Sequence, residues 1–371
     1  MDTYTAIHVF IKLVIGGFNY LFCKITLDAY KNRAGLGKDD YALKNKPAMM
    51  TISTFLSLFM VAIPIYIHEI RKSSNKGYSL SLHGVLAIAG SLEMIAVYLS
   101  MFGNTILPAS ILVFFKATRV LWSALLSKYV LKRRLYMYHW VAVAMTFIGL
   151  VPIGIVQAYV GKKKDSSMAW QCVAFGMVFL CEFFRAVRII IEERLMKEKG
   201  VSPGFVQFVE GYSGLILAIT LAFVLHTAGA ENLVDSISTL SVDGHWHIAL
   251  WLSIHTVCHG LVNYSSTVVT KLLSSVHNAI ISEMRILVVW LPEFIIFWIG
   301  LENYGKEWSF LCLLDLPGFA IIVASAFIYS GTLRLPFPFL YPAAQDEKVV
   351  SPSTNDGHAH EHCDHKHAET A

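Results

Sequence analysis

The chain has 371 residues, of which 55% are apolar and 15% charged, with a formal net charge of +4 and a mean hydropathy of +0.55. A soluble domain carries a charged share of roughly 25–35% on its surface, so this composition excludes one. A small positive charge scattered over short connections marks membrane-flanking cations and gives a nucleic-acid partner no support.

A helix needs about 20 apolar residues to cross a bilayer. Segments 6–28, 48–69, 82–103, 109–131, 138–159, 168–190, 204–226, 248–270, 278–300 and 310–331 meet that length with only short polar breaks. They predict an all-α, polytopic membrane protein of about ten transmembrane helices. Lys12 and Lys24 sit inside the first segment, which argues against a cleavable leader. Five of the six cysteines (Cys23, Cys172, Cys181, Cys258 and Cys312) lie in apolar stretches as small hydrophobic residues, and no disulfide framework or CxxC pair is implied.

Ionisable residues within such helices are the chemical signal, because a charge at the bilayer centre costs about 2.5–3.5 kcal/mol on insertion scales. In chain order they are Lys24, with the polar Asn19, in the first helix; Glu93 in the third; Lys116 and Arg119 in the fourth; and Glu182, Arg185 and Arg188 in the sixth. The seventh holds Glu210, followed by Gly211 and Gly214, the eighth Asn263, and the ninth Glu283, Arg285 and, past Pro292, Glu293. Steps of three place Glu182, Arg185 and Arg188 on one helix face. That stripe reads either as an internal ion-pair ladder, with Glu182 neutralising Arg185, or as a lining that contacts a polar, charged solute. Arg188 and Lys24, near predicted helix ends, are expected to snorkel to an interface. Gly16–Gly17, Pro64, Pro152 with Gly154, Pro292, and Pro317 with Gly318 can loosen helices that have to rock.

A repeat runs through the chain. Lys116 to Gly149 spans 33 positions and so does Arg285 to Gly318; each span passes a tryptophan, Trp140 or Trp308, before its glycine-bearing helix. Five helices per half is an odd number, so the halves, about 1–160 and 161–344, are expected to be inverted. Inverted repeats build many secondary transporters, with the substrate site near the midplane between the halves. An even helix count puts both termini on one side. Closely juxtaposed cations such as Arg71, Lys72, Arg133, Arg134, Lys197 and Lys271 mark that side as cytosolic.

Read in order, the intramembrane residues resemble the F subfamily of solute carrier family 35, in the drug/metabolite transporter superfamily. The stretch NYSSTVVTKLLSSVHNAIISEMRILVVW, Asn263 to Trp290, is similar to that subfamily's pattern through Thr270, Lys271, Glu283, Arg285 and Trp290. EERLMKEKGVSPGFVQFVEGYSG matches through Glu192, Glu193, Pro203, Glu210, Gly211 and Gly214, and the first helix through Asn19, Leu21 and Lys24. Lys116 stands where the subfamily has arginine, Glu93 where it has aspartate, and Glu182 and Arg188 where it has glutamine. The resemblance implies an EamA-like, ten-helix solute transporter of endomembranes (Golgi, endoplasmic reticulum or lysosome), with no cofactor.

Residues 345–371 form a polar tail containing GHAHEHCDHKH. His358, His360, His362, Cys363, His365 and His367 are nitrogen and sulfur donors suited to zinc or copper, against which stands a disordered, solvating tail with no ligand geometry. The expected function is secondary active transport of a small polar or anionic metabolite by alternating access, from a lipid bilayer and with room for a homodimer. The alternative is a divalent metal transporter or metal-regulated membrane protein, with weak zinc binding by the tail. No nucleophile–base pair, HExxH or phosphate-cradling loop points to an enzyme.

Overall fold

The computed structural model describes residues 2–19, 47–72, 78–107, 109–160, 168–230, 234, 246–298 and 309–337. Among them every regular element is a helix. Helix α1 (Thr3–Phe10) passes into a π-helical turn, Ile11–Ile15. It is followed by α2 (Pro47–Lys72), α3 (Leu80–Ile106), α4 (Ala109–Tyr129), α5 (Met137–Val160), α6 (Met168–Glu198), α7 (Pro203–Thr227), α8 (Trp246–Leu272) and α9 (Ser275–Trp298). A 3-10 turn, Phe310–Leu314, leads into α10 (Asp315–Tyr329).

Among the described residues five stretches are long and apolar enough to cross a membrane: Thr51–Arg71, Leu80–Ser100, Met137–Val156, Pro203–Thr227 and Phe310–Tyr329. They belong to α2, α3, α5, α7 and α10. The other long helices, α4, α6, α8 and α9, carry most of the ionisable residues. Helix α6 extends eight residues beyond its expected end at 190. Glu192 and Glu193, just past that expected end, are both buried and ion-paired, so the helix continues through them.

Apolar side chains cover the outside of the bundle, and polar residues are buried among apolar ones within. Along α7, Ile216, Ile219 and Phe223 are exposed, whereas Gln207, Glu210, Gly211, Ser213, Gly214 and Ala218 are buried. An outward apolar face suits hydrocarbon, which leaves the helix's small residues to face its neighbours. A Cβ on Gly211 would lie 2.8 Å from the Phe59 backbone nitrogen of α2, so only glycine lets the two helices come this close. The start of α7 is fixed locally: the Ser202 hydroxyl accepts from the Phe205 backbone N–H at 3.3 Å, with Pro203 at the first turn.

Helix contacts follow a two-fold pattern. α2 packs on α7, α5 on α10, and α4 on α9; α3 packs on α6 and α7, while α8 packs on α1 and α2. Exchanging each helix for the one five places along turns α3–α7 into α8–α2, α3–α6 into α8–α1, and α4–α5 into α9–α10, all of them contacts in the bundle. The glycines that end the two sequence spans meet on the α5–α10 crossing. A Cβ on Gly149 would fall 2.8 Å from the carbonyl oxygen of Gly318, and a Cβ on Gly318 would in turn strike Gly149. Replacing either glycine with leucine is therefore expected to wedge α5 from α10 and cost about 1–3 kcal/mol. The check is a lower thermal unfolding midpoint in detergent. Gly84→Ala serves as control, since nothing lies within 4 Å of a Cβ there.

Candidate functional site

The charged stripe of α6 faces inward and gathers carboxylates from four helices. Arg185 donates to Glu182 at 2.8 Å, one turn back on the same face, and reaches Glu93 of α3 at 3.6 Å. Arg188 pairs with Glu93 at 3.2 Å, with Glu210 of α7 at 2.9 Å, and with Glu192 one turn on. From α4, Arg119 lies 3.6 Å from Glu182 and 3.3 Å from Glu283 of α9. Three guanidiniums and five carboxylates thus form one continuous network across α3, α4, α6, α7 and α9. Forked donors suit such sharing, because one guanidinium offers five N–H groups in a fixed plane.

The snorkelling expected of Arg188 is corrected here: the residue is 7% exposed. Its distance from the predicted helix end pointed to an interface, but three carboxylates hold it inside. Glu192, named only for the resemblance and not among the intramembrane charges, is held inside by the same arginine.

Lysines complete the cluster. Lys12 is 4% exposed in the π-helical turn of α1, donating at 2.6 Å to the backbone carbonyl of Asn278 and also to that residue's side chain. The Asn278 amide oxygen accepts from Ser266 at 2.9 Å as well. A π turn re-aims one residue relative to an α-helix and is frequent at functional sites; here it carries a buried cation. Lys12 was weighed in the sequence only against a leader, although its position in an apolar segment was as costly as that of Lys24. Lys116 of α4 has neither a hydrogen bond nor an ion pair among the described residues. Its electrostatic neighbours are Glu182, Arg185, Arg285 and Glu283, and those of Lys12 include Arg119, Arg285 and Glu283. Arg285 and Glu283 of α9 are therefore common to both lysines. The Arg285 side chain crosses α1 at Gly16, where a Cβ would come within 3.0 Å of the arginine's Cδ.

Asn19 and Asn263 converge on His259 of α8. Their amide nitrogens approach opposite ring nitrogens of His259, at 3.4 Å for Asn19 and 3.0 Å for Asn263. Of the residues singled out in the sequence, Glu93, Arg119, Glu182, Arg185, Glu210 and Glu283 join one network, Lys116 and Arg285 border it, and the two asparagines meet at His259. Lys24 lies outside the described residues, as do His358, His360, His362, Cys363, His365 and His367. Among the described residues no group of three or more His, Cys, Asp and Glu is arranged to hold a metal ion. An apolar hollow of about 590 Å³ lies against α9 and α10, lined by Leu287, Trp290, Phe319, Val323 and Phe327 among others, and none of the charged residues borders it.

The comparisons with known proteins bear on this arrangement. Residues 40–155 match the EamA-like transporter family. Solute carrier family 35 member F6 of Rattus norvegicus is 22% identical over 342 residues, covering 87% of this chain and 88% of its own length. The Homo sapiens protein of the same name is 21% identical over the same shares. Over most of its length the chain is similar to the F subfamily of solute carrier family 35. With the apolar helices, these likenesses support a multi-pass membrane protein that transports small solutes. An uncharacterized protein of Schizosaccharomyces pombe (strain 972 / ATCC 24843) is 21% identical over 327 residues, 82% of this chain and 93% of its own. A protein of known crystal structure superposes with a TM-score of 0.57 at 14% identity, over 90% of this chain and 99% of its own, which speaks to the fold alone.

Proposed function

We propose that this chain is a secondary active transporter that moves a small polar or anionic metabolite by alternating access, built as two inverted five-helix repeats over about 1–160 and 161–344. The exchange symmetry of the helix contacts and the meeting of Gly149 with Gly318 support the repeat. The observation that carries the functional reading is Lys116: a cation on an intramembrane helix, set among paired charges, with no carboxylate of its own among the described residues. A buried charge without a partner is costly, and an anionic group on the solute would supply that partner during binding.

In this reading Lys116, Arg285 and Lys12 attract the anionic part of the solute. Arg119, Arg185, Glu93, Glu182, Glu210 and Glu283 form a polar wall that exchanges ion pairs with it, and Asn19 and Asn263 hydrogen-bond its neutral groups. Lys24 belongs to the same set by its place on the first segment. The reading extends to an endomembrane location with cytosolic termini.

The test is uptake and counterflow in proteoliposomes, screened against nucleotide sugars, nucleotides, amino acids and divalent metals. Saturable counterflow of a polar or anionic solute is expected. Transport confined to divalent metals, or none with any class, would sink the reading.

A further inference from the structure

At one end of the bundle the connections between helices are tied to one another. Gly204 at the start of α7 donates its backbone N–H to Glu69 at the end of α2, at 3.2 Å, and Ser202 donates its own to the Tyr78 hydroxyl ahead of α3, at 3.3 Å. Lys271 at the end of α8 donates to the Val201 carbonyl at 3.2 Å, and Lys197 at the end of α6 to the Leu273 carbonyl at 2.6 Å. The Ser127 and Ser275 hydroxyls, from the end of α4 and the start of α9, lie 3.1 Å apart. At the centre of these ties is Glu193. It is fully buried and receives Arg133 from the α4–α5 connection at 2.6 Å, Lys197 at 2.9 Å, and the Ser275 backbone N–H at 3.0 Å.

Each first-half connection at this end is held to the second half. Glu69, Tyr78, Ser127 and Arg133 belong to the first half, and Gly204, Ser202, Ser275 and Glu193 to the second. Among the described residues at this end, Arg133–Glu193 is the tie between the halves in which both partners are charged. Arg133 is placed for it by the end of α4, where Lys132 takes a left-handed backbone (φ 52°) and the Arg133 N–H returns to the Ser127 carbonyl at 3.2 Å. A non-glycine residue pays for that conformation, so the turn is held by what it presents. Outside the pair lies a hollow of about 480 Å³, lined by Arg133, Arg134, His139, Ser274, His277 and Tyr329 among others.

We infer that this end is a closed gate and that the Arg133–Glu193 pair is its latch, which parts when the halves rock to admit solute from that face. The inference rests on the alternating-access reading above. The half-exposed side chain of Arg133 reaches Glu193 from the hollow, so water entering there can replace it. Lys197 and Ser275 keep Glu193 satisfied within the second half after the first half has left.

The test uses the full-length chain in oriented proteoliposomes, with the six native cysteines replaced and one reporter thiol introduced. Ser127→Cys, at a fully buried position just inside the latch, is titrated with a membrane-impermeant maleimide from the gated face. Arg133→Gln is expected to speed its labelling about tenfold, and Arg133→Lys to restore slow labelling. Ser100→Cys, buried toward the opposite end of α3, controls for general loosening. Labelling at Ser127→Cys that ignores Arg133→Gln, or that rises equally at Ser100→Cys, would overturn the latch. Counterflow measured in the same vesicles separates the levels: counterflow present with Arg133-independent labelling strikes the latch alone, whereas no counterflow in the native protein strikes the transporter reading on which it rests.

Discussion

Arg188→Gln is expected to be the most damaging single substitution in this bundle. Arg188 is 7% exposed and is the guanidinium to which Glu93, Glu192 and Glu210 are all paired. Removing one partner of a buried pair leaves uncompensated charge in low dielectric, at about 3–5 kcal/mol, and here three carboxylates lose the same cation at once. Arg185 remains 3.6 Å from Glu93, but no other ion pair to Glu192 or Glu210 is formed among the described residues. The measurement is the thermal unfolding midpoint and monodisperse yield in detergent, with Arg188→Gln compared with Arg188→Gln/Glu210→Gln. Removing a carboxylate along with the arginine is expected to recover part of the loss. A midpoint unchanged by Arg188→Gln would mean that the residue reaches water, as its position in the sequence first indicated.

The outline of the fold was legible because lipid imposes a simple rule: every backbone polar group is satisfied within its own helix, so apolar length reads directly as helix. The predicted span 204–226 lies within Pro203–Thr227, and 48–69 within Pro47–Lys72. Gly149 and Gly318, singled out by their equal spans, meet at one close helix crossing that demands glycine on both sides.

What the sequence hid was which charges find one another. Glu192 and Glu193 lay past the expected end of their helix, and for Glu193 the partners that keep it inside include Arg133 and the Ser275 N–H, 60 and 82 positions away. Lys12 was hidden differently. Its burial depends on a π-helical turn and on Asn278, 266 positions further on, and neither shows as periodicity. Among the candidate residues, those on α6 were readable because a step of three fixes a common face. His259 and Asn278 were not, because a neutral polar residue in an apolar helix gives the same local pattern whether it packs or binds.

Lys116→Met is expected to raise stability while it sharply lowers transport. The side chain is partly buried among Glu182, Arg185, Arg285 and Glu283, yet makes no ion pair of its own among the described residues. Without solute, its ammonium is desolvated and adds to a neighbourhood already supplied with arginine; methionine keeps much of the length and removes the charge. A gain of about 1–2 kcal/mol is within the range seen when a functional group held at some cost to the fold is neutralised. The same change takes away the charge that is proposed to meet the solute's anionic group, and losing a contact of about 2 kcal/mol would lower transport efficiency roughly thirtyfold. Lys116→Arg distinguishes charge from geometry: it keeps the cation but replaces a point charge with a planar fork, so partial transport with an altered solute preference is expected. Unfolding midpoints and counterflow rates measured on the same preparations check both halves of the expectation. Should Lys116→Met transport normally, the anionic group is held elsewhere. Should it unfold instead, Lys116 is a structural partner in the network and not a vacancy kept for the solute.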